Sequence, residues 1–235
     1  MTPERASVED IAIVIPAYNA GIRLEQVLEN VLQLIPSKNV IVVDDGSTDD
    51  TAEWAKQKCV TLIRHQRNRG KGAALKSGFA VVLQRAQIQA AITMDADGQH
   101  APEHVAEFIR VFRATAIDLI IGARELRWPQ MPIARVFSNR ISSALLSWRL
   151  GVKIVDSQSG YRLHSRKLME QIALCTDGYE METELLLKAH RAGMRIHFIP
   201  ISTIYSGQQS HIRGLRDIAR FIRMWLTTTG CLFTV

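Results

Sequence analysis

Cysteine, long apolar runs and aromatic residues are all scarce in this chain, and each scarcity removes a class of explanation. Cys59, Cys175 and Cys231 are the only three cysteines among 235 residues. They are odd in number and far apart, so neither a disulfide framework nor a CxxC metal knuckle is expected, and a reducing cytoplasmic compartment suits them. No window reaches the ~18 uninterrupted apolar residues of a spanning helix. Arg220 and Arg223 break the most apolar stretch near the C-terminus. The opening segment MTPERASVED carries charge and no apolar centre, so no secretory leader is expected. His65, His100, His164, His190, His197 and His211 show no metal-ligand spacing and read as individual core or surface residues. Aromatic residues make up only 6% of the chain, and without a clustered aromatic platform or recognisable motif no nucleic-acid partner is expected. Internal repeats, low-complexity tracts, a GxxxxGK[ST] loop and a GxGxxG turn after a strand are also missing.

What remains is a chain that is 47% hydrophobic and long enough to bury a full core as one domain. Its formal charge of +6 favours anionic partners, among them nucleotide phosphates and acidic lipid surfaces. Short β-branched runs alternate with helix-like segments: Ile11 to Ile15, Leu24 to Leu34, Val40 to Val43, Thr48 to Lys58, Val60 to Ile63, Ala73 to Arg85, Ala90 to Met94 and Glu103 to Arg113. That order predicts an α/β fold, with βαβ units around a mostly parallel central sheet. Glu125 to Pro132 reads as a loop, Val136 to Leu150 and Gly178 to Ala192 as helices, and Arg195 to Ile201 as a strand.

Ligands of such sheets gather at the carboxyl ends of strands, and there this chain places its distinctive polar residues. Asp95-Ala-Asp97 follows the apolar run Ala-Ala-Ile-Thr-Met. On an extended segment, carboxylates two apart project the same way and can share one hard cation such as Mg or Mn, with Gln99 next in the alternation. A surface turn with a helix cap is the plainer alternative. Asp44 and Asp45 are adjacent and should point apart, with Ser47 to Asp50 capping the next helix. Asn68-Arg-Gly-Lys71-Gly precedes a helix rich in small residues and reads either as a tight loop or as a phosphate cradle.

Pro16-Ala-Tyr-Asn19, Asp44-Asp-Gly-Ser, Asn68-Arg-Gly-Lys-Gly, Asp95-Ala-Asp-Gly-Gln-His100 and Asp156-Ser-Gln-Ser-Gly-Tyr161 occur in that order from about Ile11 to about Arg216. In this the chain resembles family 2 glycosyltransferases of the dolichyl-phosphate mannosyltransferase and bacterial polyprenyl-phosphate type. The resemblance implies a GT-A type fold built as a single Rossmann-like domain, an inverting transfer, and a UDP- or GDP-sugar donor. It puts nucleotide recognition on Pro16, Ala17, Tyr18, Asp45, Lys71 and Asp95. It puts Mg or Mn on Asp97, with Asp95 and Gln99 as further ligands or donor contacts. It also implies a GT-A domain over residues 1–212, followed by a basic amphipathic helix and tail over 213–235.

The acceptor decides which other groups the chemistry needs. A hydroxyl must lose a proton, whereas a phosphate monoester, with a second pKa of about 6, is already anionic and calls for cationic clamps. Arg124, Arg135, Arg140 and Ser210 are the candidate acceptor contacts, by resemblance, and for Arg140 a solvated helix face is the alternative. Asp156, Asp95 and Arg124 are the candidate catalytic residues, Asp156 as base or as the group that orients the acceptor. Glu182 and Glu184 compete for that role, although a helix start favours acids on its own. Arg213, Arg216, Arg220 and Arg223 form a basic stripe beside Leu215, Ile218, Ile222 and Trp225, which fits peripheral contact with the inner face of a membrane or packing on the core. A polyprenyl phosphate is the expected acceptor. A saccharide or protein hydroxyl, and a catalytically silent nucleotide-sugar binding module, are the competing readings.

Overall fold

The structure, a computed structural model, describes residues 8–124, 133–202 and 204, without the side chains of 133–135 and 138. The expected loop 125–132, the acceptor candidate Ser210 and the helix expected over 213–235 lie outside the described residues, as does the Arg135 side chain.

The first half follows the alternation of its apolar runs. Strands β1 (Ile11–Ala17), β2 (Val40–Asp44), β3 (Thr61–Arg64) and β4 (Ala90–Thr93) alternate with helices α1 (Ile22–Val31), α2 (Thr51–Gln57) and α3 (Lys71–Gln84), and α4 (His104–Ala114) follows. All four strands pair in parallel, and β1, β2 and β4 are almost fully buried, as continuous apolar strands covered on both faces should be. Then come β5 (Leu119–Arg124), α5 (Ile133–Leu150), β6 (Arg162–Ser165), α6 (Arg166–Gln171), α7 (Met181–Arg191) and β7 (Ile196–Ile201).

One sheet of seven strands results, ordered β3-β2-β1-β4-β6-β5-β7, in which β6 alone runs against its neighbours. Helices α1, α2 and α4 pack on one face through Leu24, Leu28, Ala55, Val105 and Phe108. Helix α3 covers the other face with Leu75, Phe79 and Val82, joined by Leu168 of α6 and Leu185 of α7. Helix α3 comes close because Gly78 has no side chain: a Cβ there would collide with Val14 of β1. This is the α/β, mostly parallel single-domain architecture expected, with the carboxyl ends of β1, β2, β4 and β5 at one edge and the reversed β6 delivering its amino end to the same edge.

Candidate functional site

The polar strand ends meet at that edge. Asp44 and Asp45 part as adjacent strand-end residues must. Asp44 accepts the Ser47 amide at 2.8 Å and pairs with Arg64 at 3.1 Å. Asp45 turns the other way, accepting the amides of Arg69 at 3.0 Å and Gly70 at 2.7 Å, with His65 Nδ1 2.6 Å from Oδ1. Both Asp45 oxygens are therefore occupied from within the protein. Asp45, the residue expected to meet the nucleotide, also holds the Asn68–Gly72 loop in place.

The loop has little freedom. Gly70 sits at φ 103, a region that penalises side chains, and a Cβ on it would strike the Asp177 carbonyl. A Cβ on Gly72 would fall 2.8 Å from the Asp177 carbonyl carbon. Asn68, Arg69, Gly70, Asp177, Gly178 and Glu180 line an open cleft of about 380 Å³ beside the start of α3. Pro16 and Ala17 end β1 on the same edge of the sheet, and Tyr18 beyond them is half exposed.

Lys71, the first residue of α3, extends its Nζ to Asp95 Oδ1 at 2.6 Å and Glu182 Oε1 at 2.8 Å. Burial works against the ammonium charge, but the two carboxylates outweigh it and hold Lys71 above its ordinary range. Burial likewise opposes charge on Asp95, yet Lys71 above all, with help from His100 and Arg124, brings that carboxyl down to about 2. Gly160 completes the arrangement by absence: a Cβ there would stand 2.6 Å from Lys71 Nζ and 2.9 Å from Asp95 Oδ2.

The segment after β4 departs from the extended geometry that was to make Asp95, Asp97 and Gln99 project together. The strand ends at Thr93, residues 96–98 turn, and Gly98 adopts φ 76. The alternation therefore does not continue to Gln99. Asp97 Oδ1 accepts the Gln99 amide at 2.9 Å, which closes the turn. Burial lowers the pKa of His100 and the carboxylates of Asp95 and Asp97 oppose that shift only in part, so the two acids still act on one neighbour. His100 Nδ1 accepts the Asp95 amide at 3.0 Å and its ring stacks on Tyr161 at 4.7 Å, so it braces the turn.

Among the described residues no group of three or more His, Cys, Asp and Glu side chains forms a metal cage. Two carboxylates on one turn suit a cation that takes its remaining ligands from diphosphate and water, the usual manner of Mg. The donor set thus fits Mg or Mn bound jointly with a nucleotide diphosphate.

Asp156 gives the second half of the site. It is fully buried and accepts Arg124 Nε at 2.8 Å, Arg124 Nη2 at 3.1 Å, the Arg124 amide at 3.2 Å, Asn139 Nδ2 at 2.7 Å and the Gln158 amide at 3.1 Å. Burial would favour its neutral form, but the Arg124 pair and these hydrogen bonds prevail and depress its pKa. A carboxylate so saturated is a poor base, and of its two expected roles the geometry fits orientation, with Arg124 as the oriented group. Arg140 is exposed, on a different face of α5 from Asn139.

Glu184 is a structural residue: it accepts the amides of Cys175 at 2.8 Å and Thr176 at 2.9 Å and pairs with Lys188 at 2.7 Å. Glu182 instead faces Lys71. Sequence reasoning missed Arg162, only 1% exposed, which donates to the carbonyls of Ser159 at 2.6 Å, Glu182 at 2.8 Å and Ser157 at 2.9 Å. It ties the Asp156–Tyr161 loop to α7, and its place after Ser-Gly-Tyr was the available signal.

Comparison with known proteins follows this geometry. The family model described as "Glycosyl transferase family 2" matches residues 12–173. A UDP-N-acetylglucosamine--dolichyl-phosphate N-acetylglucosaminyltransferase of Methanococcus voltae is 30% identical, over 90% of this chain and 92% of its own. A polyprenol monophosphomannose synthase of Mycolicibacterium smegmatis is 31% identical, over 81% of this chain and 76% of its own. Glucosyl-3-phosphoglycerate synthase from Mycobacterium tuberculosis, solved with Mn2+ and UDP-glucose, superposes with a TM-score of 0.70 at 22% identity, over 96% of this chain and 79% of that one, a likeness of fold. With the family pattern running through both halves of the site, the chain belongs to glycosyl transferase family 2.

Proposed function

We propose that this family 2 glycosyltransferase moves a sugar, with inversion, from a UDP- or GDP-sugar to the phosphate of a polyprenyl phosphate. The observation that carries the reading is the pairing of acids with cations. Asp95 and Glu182 are bound to Lys71, and Asp156 is bound to Arg124 and held ionised. Those acids are poorly suited to take a proton from a hydroxyl. A phosphate monoester brings its own anionic nucleophile, and what it needs is an oriented cation, which Arg124 supplies. The names of the Methanococcus and Mycolicibacterium relatives point to the same class of acceptor.

In this reading the loop fixed by Asp45 and the start of α3 receive the donor diphosphate, with Pro16, Ala17 and Tyr18 against the nucleoside. Lys71 offers positive charge to the diphosphate and keeps Asp95 ionised. Asp95 and Asp97 would hold Mg or Mn together with the diphosphate, and such a cation would supply charge stabilisation for the leaving group. Arg124, its guanidinium fixed edge-on by Asp156, orients the acceptor phosphate.

No described helix is long and apolar enough to cross a membrane. Peripheral contact with the inner face of the membrane is the access to a lipid acceptor that this reading proposes. The test is a screen of UDP- and GDP-sugars with Mn, with and without polyprenyl phosphate. Transfer that requires the lipid phosphate is expected. Efficient transfer to a saccharide or protein hydroxyl with none to the phosphate would reject the acceptor, and nucleotide binding without any turnover would favour a silent binding module.

A further inference from the structure

Helix α5 is amphipathic in the wrong sense for a helix that faces water. Its inner face is largely polar: Asn139, Ser142 and Ser143 are buried there, bonded to Asp156 and Ser157, with Leu146 the buried apolar residue beside them. Its outer face is apolar. Phe137 is 66% exposed and Trp148 82%, with Ile141 and Leu145 exposed between them. Steps of four, four and three place these side chains on one stripe running roughly 16 Å along the helix. Water offers such a stripe no favourable partner, and a contiguous exposed apolar patch marks an interaction surface.

Charge identifies the partner. From residue 126 to residue 155 the sequence has no Asp or Glu but five basic residues, Arg127, Arg135, Arg140, Arg149 and Lys153. Arg140 is exposed among the outward residues, and Lys153, Val152 and Val155 are exposed just beyond the helix end. Apolar side chains flanked by the exposed Arg140 and Lys153 match a surface that is anionic at its headgroups and apolar beneath them. Trp suits the boundary itself, with an apolar ring and a polar N–H.

We propose that the outward face of α5, centred on Phe137, Ile141, Leu145 and Trp148 and flanked by Arg140 and Lys153, docks on an anionic lipid bilayer. The inner face of the same helix holds Asp156 through Asn139, and Asp156 holds Arg124, so docking would set the acceptor clamp at a fixed place relative to the membrane. The proposal deepens the lipid-phosphate reading and rests on it for its purpose, while its physical basis is the helix alone.

The experiment compares the parent protein with a Phe137→Ser/Trp148→Ser variant. Both substituted side chains are exposed, so melting temperature and nucleotide affinity should be unchanged. In co-sedimentation at low salt the parent should bind vesicles of mixed phosphatidylglycerol and phosphatidylcholine and bind pure phosphatidylcholine far less. The variant should lose at least tenfold in partition. Transfer to a polyprenyl phosphate embedded in those vesicles should fall with it, while transfer to a short water-soluble prenyl phosphate should persist. A parent that stays in the supernatant, or a variant that binds as the parent does, overturns the proposal. So does a parent dimer that the two substitutions abolish with no effect on vesicles, since the stripe would then be covered by a second copy. Vesicle binding lost in the variant, with no prenyl phosphate ever glycosylated, would uphold the docking surface and defeat the acceptor reading instead.

Discussion

A Cβ built on Gly160 would fall 2.6 Å from the Nζ of Lys71, so the Lys71–Asp95 ion pair exists where it does because residue 160 has no side chain. The crowding comes from the flexible ends of two side chains, not from backbone. Gly160→Ala should therefore leave the fold intact, with a melting temperature within a few degrees of the parent, while displacing Lys71. Nucleotide diphosphate affinity in Mn should drop roughly tenfold, the equivalent of ~1.4 kcal/mol. Calorimetric titration checks this, and unchanged affinity would remove Lys71 from the donor site.

Asp97→Ala should make nucleotide binding insensitive to Mn, because a single remaining carboxylate holds a hard cation poorly. EDTA should weaken binding to the parent and have no further effect on the variant. Equal parent affinity in Mn and EDTA would refute the cation assignment.

Asp45→Asn separates a structural carboxylate from a ligand-binding one. The amide retains one acceptor where Arg69, Gly70 and His65 present three hydrogen-bonding groups, so a buried group loses its partner. That should cost roughly 1–3 kcal/mol of stability. Nucleotide affinity should fall together with the melting temperature. Weakened binding at unchanged melting temperature would mean that the carboxylate touches the nucleotide directly.

His164 predicts a pH effect. It is buried, its Nδ1 has no hydrogen-bond partner among the described residues, and burial with the nearby Arg162 charge pushes its pKa down to about 3. The unfolded chain binds a proton near pH 6.5 that the folded chain refuses, so the stability contribution is complete above that pH and declines as the solution is acidified toward pH 3. The slope from this one group approaches ~1.4 kcal/mol per pH unit. Urea unfolding at pH 7, 6, 5 and 4 should show a steeper loss for the parent than for His164→Gln. Parallel curves would show that the imidazole does not titrate in that window.

Asp156→Asn should separate transfer from donor binding. The Arg124 guanidinium would lose its ionic anchor, so turnover with lipid phosphate should fall at least a hundredfold while nucleotide affinity changes little. A comparable loss of nucleotide affinity would place Arg124 on the donor.

The sequence was most legible where contacts are local. Continuous apolar runs marked β1, β2 and β4, and the polar residues after them reached the same edge of the sheet. Strand β6 escaped because Arg162-Leu-His-Ser has no apolar run: its buried Arg donates to the carbonyls of Ser157 and Glu182 and its buried His meets Thr93, which no local pattern encodes. The Asp-x-Asp geometry was misjudged because Gly98 allows a turn where an extended segment was assumed. The grouping of Lys71, Asp95, Gly160 and Glu182 spans more than a hundred residues, and it takes the pairing of β4 with β6 and the packing of α3 and α7 to assemble it. Asp45 was recognised as important, but two of its partners are backbone amides, which carry no sequence signature.

The reversed strand β6 also divides the sheet into two blocks that differ in what they can tolerate. On one side β3, β2, β1 and β4 form a continuous parallel unit whose ends carry the Asp45 loop and the Asp95 turn. On the other, β5 and β7 pair in parallel and carry Arg124, with α5 suspended between β5 and β6. A hairpin-like stitch between blocks lets the span from residue 125 to residue 155 lengthen, shorten or change character without shifting the register of the first four strands. Under the proposed function, a descendant of this fold could exchange one acceptor for another by rewriting that single insertion, keeping the strand ends of the first block unedited.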